Sequence, residues 1–261
     1  MTPIPFVLLV GLLGVIVGSF LNVVIHRVPR NESVVSPGSH CPTCDLPIKG
    51  RHNVPILSWL VLRGRCADCA TRISLRYPLV EAATGLLFAG ITLRFGLTME
   101  LSAYLYLAAI GVALMVIDFD VRLLPDSIIL PSYVVSVLLL MPAGAVDSDW
   151  WRAERGLIGM VGLLVLYFAL ALSYPNGLGF GDVKLAGLVG LYLGWLSWNA
   201  LLIGAFGAFV LAVLGRTAAI ATRRADRYVT VPVGPCLIAA AALSVFVATP
   251  VAGWYASVMT V

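Results

Sequence analysis

Long apolar runs separated by short polar connections dominate this chain, at roughly residues 5–25, 78–95, 101–118, 127–143, 156–174, 183–198, 200–216 and 232–250. A helix needs about 20 mostly apolar residues to cross the hydrocarbon of a bilayer. Lipid offers no partners for open backbone, and the runs lack strand-like alternation, so each predicts a helix. The pattern therefore predicts an all-α polytopic membrane protein of about eight transmembrane helices. The run 183–198 is short enough to be a partly sunken helix. One sizeable polar insertion interrupts the pattern, residues 28–77. It divides the chain into a first transmembrane helix (1–27), an inserted loop (28–77) and a membrane core of about seven helices (78–261).

Composition agrees with this reading and excludes a soluble one. Sixty per cent of the residues are hydrophobic and 11% are charged, with a mean hydropathy of +0.98. A soluble domain with so few charges has too little polar surface to cover itself. The basic residues set the orientation. With the N-terminus outside, 14 of the 17 Lys and Arg residues fall on inner connections, and only Arg94, Arg152 and Arg155 lie outside. That is a positive-inside bias, and it places both termini outside and the 28–77 loop in the cytoplasm. No Lys or Arg precedes the first run, whereas Arg27 and Arg30 follow it, so a retained helix is expected rather than a cleaved signal.

Within the loop, Cys41-Pro-Thr-Cys44 and Cys66-Ala-Asp-Cys69 are separated by 21 residues. Two such knuckles suit a tetrahedral zinc held by four thiolates, as in a zinc ribbon. Two disulfides or a redox pair would be the other reading, and a reducing cytoplasm argues against it. Four protein ligands close the coordination sphere, so the metal is expected to be structural. The loop has few apolar residues, so metal binding is expected to supply much of its folding free energy. His40 and His52 flank the knuckles and are read as bystanders. Cys236 is read as a small buried residue of the last helix.

Of 13 acidic residues, eight read as solvated loop charge. Asp118 ends the third long run, and Asp182 closes Gly179-Phe180-Gly181-Asp182 at the start of the sixth, both toward the cytoplasmic face. Ionisable groups at membrane depth are costly and usually face a cavity. Two neighbouring carboxylates do not both ionise easily, so one keeps a proton while the other stays a base. Such a pair activates water against an amide without a metal or a nucleophilic side chain. Gly177, Gly179 and Gly181 permit torsions and close approach that would bring an extended substrate strand beside Asp182, with Phe180 in the same loop. The residues alone leave other roles open: an N-cap for Asp182, an interfacial carboxylate for Asp118, or an ion pathway. Asp126, in Pro125-Asp126-Ser127, reads as an N-cap. Asp120 reads as a solvated or paired loop residue beside Arg122. Glu81, a few residues into the second long helix, reads as a buried partner of a basic residue or as part of a second site.

These residues also carry a family resemblance. The blocks are Gly18-Ser19-Phe20-Leu21-Asn22-Val23-Val24, the two cysteine knuckles, Asn53-Val54-Pro55-Ile56-Leu57-Ser58-Trp59 and Arg76-Tyr77-Pro78-Leu79-Val80-Glu81. They continue with Ile117-Asp118, Leu124-Pro125-Asp126, Gly179 to Leu185, and Val231-Pro232-Val233-Gly234-Pro235, with Cys236 where an aromatic is common. In this order they resemble the bacterial type IV prepilin peptidases, bifunctional leader peptidase and N-methyltransferase enzymes of the GxGD aspartyl protease group.

The resemblance implies that Asp118 and Asp182 are the catalytic pair. The substrates would be prepilins or pseudopilins with short basic leaders, cut at the cytoplasmic face of the bacterial inner membrane. Methylation of the new N-terminus by S-adenosylmethionine would follow, with the cysteine loop associated with that second activity and Glu81 the candidate for the methyl-donor site. Membrane lipid is an expected contact and nucleic acid is not. Two rival classes are a peptidase without methyl transfer and a cation-coupled transporter. A transporter would place its carboxylates near the bilayer midplane rather than at the cytoplasmic edge.

Overall fold

Helix boundaries follow the chain's breakers. The computed structural model describes residues 2–173, 178–221 and 232–259. Among these, α1 (Ile4–Arg27) starts directly after Pro3, and α5 (Asp126–Asp147) after Pro125. Proline at these positions gives up an N–H that has no partner in the first turn anyway. α3 (Arg76–Phe95) stops at Gly96, whose φ of 66° requires a residue without Cβ strain. The remaining helices are α2 (Leu57–Val61), α4 (Glu100–Val121), α6 (Trp151–Ser173), α7 (Phe180–Leu196), α8 (Trp198–Ala221) and α9 (Val233–Met259). No strand occurs among the described residues, which bears out the all-α class.

The eight long helices sit at the eight apolar runs. Six of them, α1, α3, α4, α5, α6 and α8, are long and apolar enough to cross a bilayer, so the protein is a multi-pass membrane protein. The structure does not establish the expected eight spans. α7 has only 17 residues, and the described apolar stretch of α9 is Val233–Ala248. Large apolar side chains such as Leu8, Leu9, Leu12, Leu138 and Phe206 are exposed, as they are where lipid is the solvent. Gly177 and the basic residues Arg223, Arg224 and Arg227 lie outside the described residues, as does Asp226.

The chain divides into two compact units, Met1–Ile117 and Asp118–Val261. In the first, α1 lies along α3 on a seam of small residues. A Cβ at Gly18 would come within 2.7 Å of the Glu81 Cα, and one at Gly14 within 2.9 Å of the Gly85 Cα. Small residues are what let membrane helices approach this closely. Arg27 was expected to be a plain topology charge. It is buried instead, and donates to the Ser33 carbonyl at 2.9 Å and the Gly38 carbonyl at 3.4 Å, which fixes the entry to the cysteine loop.

In the second unit, α7 is the centre. Every residue from Leu185 to Trp195 is buried, with α5, α6, α8 and α9 packed against it. A short helix that is apolar all round is suited to such enclosure. Gly159 faces Gly190, and Gly156 faces Leu191 and Trp195, so α6 and α7 touch backbone to backbone. Arg155 donates to the Gly194 and Trp195 carbonyls, both at 2.6 Å, and so caps the C-terminal end of α7 with a cation. α5 is tied to α7 by Tyr133, whose hydroxyl donates to the Lys184 carbonyl at 2.6 Å, and by the Tyr192 hydroxyl donating to Ser136 at 2.9 Å.

Candidate functional site

Asp118 lies in the last turn of α4 and is buried, 5% exposed. Asp182 is the third residue of α7 and is half-buried. The chain brings the two together at α9. A Cβ built on Gly234 would stand 2.6 Å from Asp118 Oδ2 and 3.3 Å from Asp182 Oδ1. Both carboxylates therefore open onto one small space, and the absent side chain of Gly234 makes room for them. Asp182 Oδ2 also accepts the Gly179 N–H at 3.1 Å, and its carboxylate faces the Gly234 backbone. Asp182 thus does reach back to cap α7, but through one oxygen only, and the other points at the shared space.

The glycines of this loop act by close approach rather than by unusual torsion. Gly179 has a φ of −84°, which any residue adopts. Gly181 packs on the chain between α4 and α5, where its Cβ would come within 2.8 Å of the Leu124 Cβ. Phe180 is 63% exposed and lies 6.3 Å from Phe168, ring centre to ring centre. Gly234, held in the sequence only as part of a family block, is the site residue that reading the chain missed. Nothing local to Pro232-Val233-Gly234-Pro235 reveals which carboxylates it admits.

Two neighbouring acids differ from expectation. Asp126 is not an N-cap. Pro125 holds that position, and Asp126 is the first residue of α5, where both of its carboxylate oxygens accept from Lys184 Nζ at 2.8 Å. The pair fixes the start of α5 to the first turns of α7. Asp120 lies within α4 rather than on a loop, and is exposed.

The four cysteines of the loop converge. The Sγ atoms of Cys41, Cys44, Cys66 and Cys69 all lie within 4.8 Å of one another, with Cys41 and Cys69 3.8 Å apart. Sulfurs at tetrahedral corners about 2.3 Å from a zinc ion lie roughly 3.8 Å apart. The set can therefore hold a metal, and the described residues place neither histidine in it. His40 Nδ1 instead lies 3.1 Å from the Gly38 carbonyl. The two knuckles are built alike. Asp45 and Ala70 each follow a second cysteine with left-handed φ of 57° and 58°. Their N–H groups return to the carbonyls of Cys41 and Cys66 at 2.8 and 3.0 Å. Backbone N–H groups of Cys44 and Thr43 lower the Cys41 thiol below its ordinary value, which favours its thiolate. Trp59 of α2 donates to the Ile73 carbonyl at 3.2 Å, and its ring covers Gly64, so α2 is fastened to the second knuckle.

Glu81 is buried, 7% exposed, and its Oε2 accepts the Ile56 N–H at 2.7 Å. The expected basic partner is absent among the described residues. Asn22, one turn beyond Gly18 on α1, is 4% exposed and donates from Nδ2 to the Tyr77 carbonyl at 3.2 Å.

Residues 12–95 match the Bacterial Peptidase A24 N-terminal domain, and residues 105–216 match the Type IV leader peptidase family. Curated proteins similar to this chain are each called prepilin leader peptidase/N-methyltransferase. One, from Stutzerimonas stutzeri, is 35% identical over 90% of this chain and 88% of its own length. Another, from Neisseria gonorrhoeae, is 36% identical over 82% of each. A third, from Myxococcus xanthus, is 39% identical over 84% of this chain, which spans 65% of that relative's length. No solved structure matches the chain. With two carboxylates meeting at Gly234, a four-cysteine loop and full-length similarity of this order, the chain belongs to the type IV leader peptidase family.

Proposed function

We propose that this chain is a prepilin leader peptidase and N-methyltransferase that cuts the short basic leader from prepilins or pseudopilins and then methylates the new N-terminus. What carries the reading is the meeting of Asp118 and Asp182 at Gly234. Two carboxylates in one small space share a proton, so one acts as acid and the other as base. The base takes a proton from water, whose oxygen adds to the scissile carbonyl carbon while the protonated partner gives its proton to the carbonyl oxygen. Collapse of that adduct breaks the C–N bond, and a proton returns to the leaving amine. The Gly179 N–H holds Asp182 in orientation through both steps.

The positive-inside bias supports a site at the cytoplasmic face with both termini outside, and the proposed substrates imply the bacterial inner membrane. There a prepilin's apolar stem can lie along the helices while its leader stays in the cytoplasm. Phe180, exposed between Gly179 and Gly181, borders the approach to Asp182. The cysteine set would hold structural zinc, and four thiolates leave no position for a reacting water. S-adenosylmethionine supplies a methyl group on a cationic sulfur, and Glu81, a buried carboxylate without a basic partner among the described residues, suits such a donor.

The test is co-expression of the chain with a prepilin bearing a basic leader, followed by mass spectrometry of the pilin N-terminus. The expected product lacks the leader and carries one added methyl. Uncleaved prepilin in the presence of correctly inserted enzyme would refute the peptidase reading, and cleaved but unmethylated product would refute the methyltransferase reading.

A further inference from the structure

Glu81 and Asn22 stand on facing surfaces of the α1–α3 seam. Gly18 brings α1 against the Glu81 Cα, and Asn22 lies one turn further along α1. Its amide nitrogen is bonded to Tyr77, one turn before Glu81 on α3. The backbone positions of Asn22 and Glu81 are therefore offset by about one helical turn, ~5.4 Å, along the seam. Both are more than nine-tenths buried, and both present acceptors. The Asn22 Oδ1 is buried with no hydrogen-bond partner. Glu81 has a single bond among the described residues, from the Ile56 N–H.

That bond belongs to a strained turn. Ile56 has φ 59° and ψ −52°, with the Leu57 N–H returning to the Pro55 carbonyl. This is the rare γ-turn of positive φ, and a β-branched residue is ill suited to it. Such strain persists only where surroundings over-determine it, and it gathers at binding sites. Here the buried carboxylate holds the turn, and the turn in turn orients the carboxylate. An unpartnered buried amide oxygen and a buried carboxylate with one hydrogen bond describe a place for a group that brings positive charge and polarised hydrogens. An unmet buried acceptor is otherwise a standing cost to the fold.

We propose that Asn22 Oδ1 and Glu81 form a subsite for an organic cation. Resting on the methyltransferase reading above, the cation is either the sulfonium of the methyl donor or the α-ammonium of the trimmed pilin. Both offer the same chemistry to the site: a positive centre flanked by polarised C–H or N–H groups. A carboxylate next to an amide oxygen accepts from it on two sides and sets its position along the seam.

The experiment uses the full chain with its zinc, purified into lipid nanodiscs, and measures binding within two ligand pairs. The first is S-adenosylmethionine against S-adenosylhomocysteine, which lacks charge at sulfur. The second is a peptide with the mature pilin N-terminus against its N-acetylated form. The wild type is expected to prefer the charged member of at least one pair by roughly ten- to a hundredfold, the scale of a charge-assisted bond. Glu81→Gln and Asn22→Leu should each bring that ratio toward one, and Glu81→Asp should keep part of it. Loss in the first pair assigns the sulfonium, and loss in the second assigns the ammonium.

Helix content and zinc content identify variants that have folded, and Asn22→Leu decides the matter if Glu81→Gln does not fold. Folded variants with wild-type ratios in both pairs overturn the subsite, as does a wild type with no charge preference. Methyl incorporation by the wild type is scored separately. Its presence alongside unchanged ratios sinks the subsite alone. Its absence sinks the methyltransferase reading, while the peptide pair still decides the subsite.

Discussion

The cysteine loop of the Met1–Ile117 unit and the helical core of the Asp118–Val261 unit both gather polar groups from distant parts of the chain, by opposite means. In the core, Asp182 opens α7, which α5, α6, α8 and α9 enclose by apolar packing, and Asp118 ends α4 against Gly234 of α9. In the loop, the cysteines ride on tight turns joined by a few backbone bonds and one tryptophan. The first arrangement is set before any ligand arrives. The second would draw its order from a metal held by the four cysteines, as proposed above. A catalytic pair gains from a rigid apolar frame, whereas a closed metal site brings its own frame.

The largest effect should come from removing the metal ligands. Cys41→Ser with Cys66→Ser is expected to lower zinc from about one per chain to none, since four thiolates form one closed site. Structural zinc contributes on the order of 10 kcal/mol in small metal-folded domains, so residues 39–73 should then become protease-sensitive. The helical core should keep its melting behaviour. A zinc-free double variant with wild-type protease resistance would erase the contrast between the two regions.

Next comes the proposed catalytic pair. Asp118→Asn or Asp182→Asn should each lower prepilin cleavage by about a thousandfold, within the range for loss of a general acid or base. Insertion and zinc content should be unchanged. Cleavage near the wild-type rate by either variant removes that residue from the pair.

Gly234→Ala asks whether placement matters as much as chemistry. Its Cβ would stand 2.6 Å from Asp118 Oδ2, so the carboxylate must move. A displacement of about 1 Å at reacting groups costs on the order of a hundredfold in rate. We expect a fall in kcat of roughly ten- to a hundredfold with little change in KM. An unaltered kcat would mean that the pair tolerates displacement and that the frame around it yields.

The smallest effect belongs to Lys184→Met. Its partner Asp126 is 53% exposed, so the pair is worth less than about 1 kcal/mol after solvent screening. A slight fall in the melting temperature of the core is expected, without loss of metal. A loss of cleavage comparable to that of the aspartate variants would instead place Lys184 in the chemistry.

Much of this was legible in the residues because it is local. Apolar runs of the right length predict helices, and the CxxC spacing predicts ligands on a turn. A carboxylate at the edge of an apolar run announces itself by its cost. The two aspartates and the four cysteines are all of this kind. Boundaries held where prolines and glycines mark them, as at Pro125 and Gly96. The capping role read for Asp126 failed because Lys184, 58 residues away, offers its carboxylate a cation.

By itself the sequence determined a multi-pass helical membrane protein, the loop that carries four cysteines, and the carboxylates whose burial demands an explanation. Only the tertiary structure decided that Gly234 admits Asp118 and Asp182 to one space, and that Gly181 rests on Leu124. It also decided that Glu81 holds the turn at Ile56 and that Asn22 keeps an unmet acceptor within the α1–α3 seam. The physical reason is the range of the interactions. Hydropathy and turn chemistry act over a few residues and are written consecutively, whereas a missing Cβ or an unpaired oxygen has meaning only once another helix lies against it.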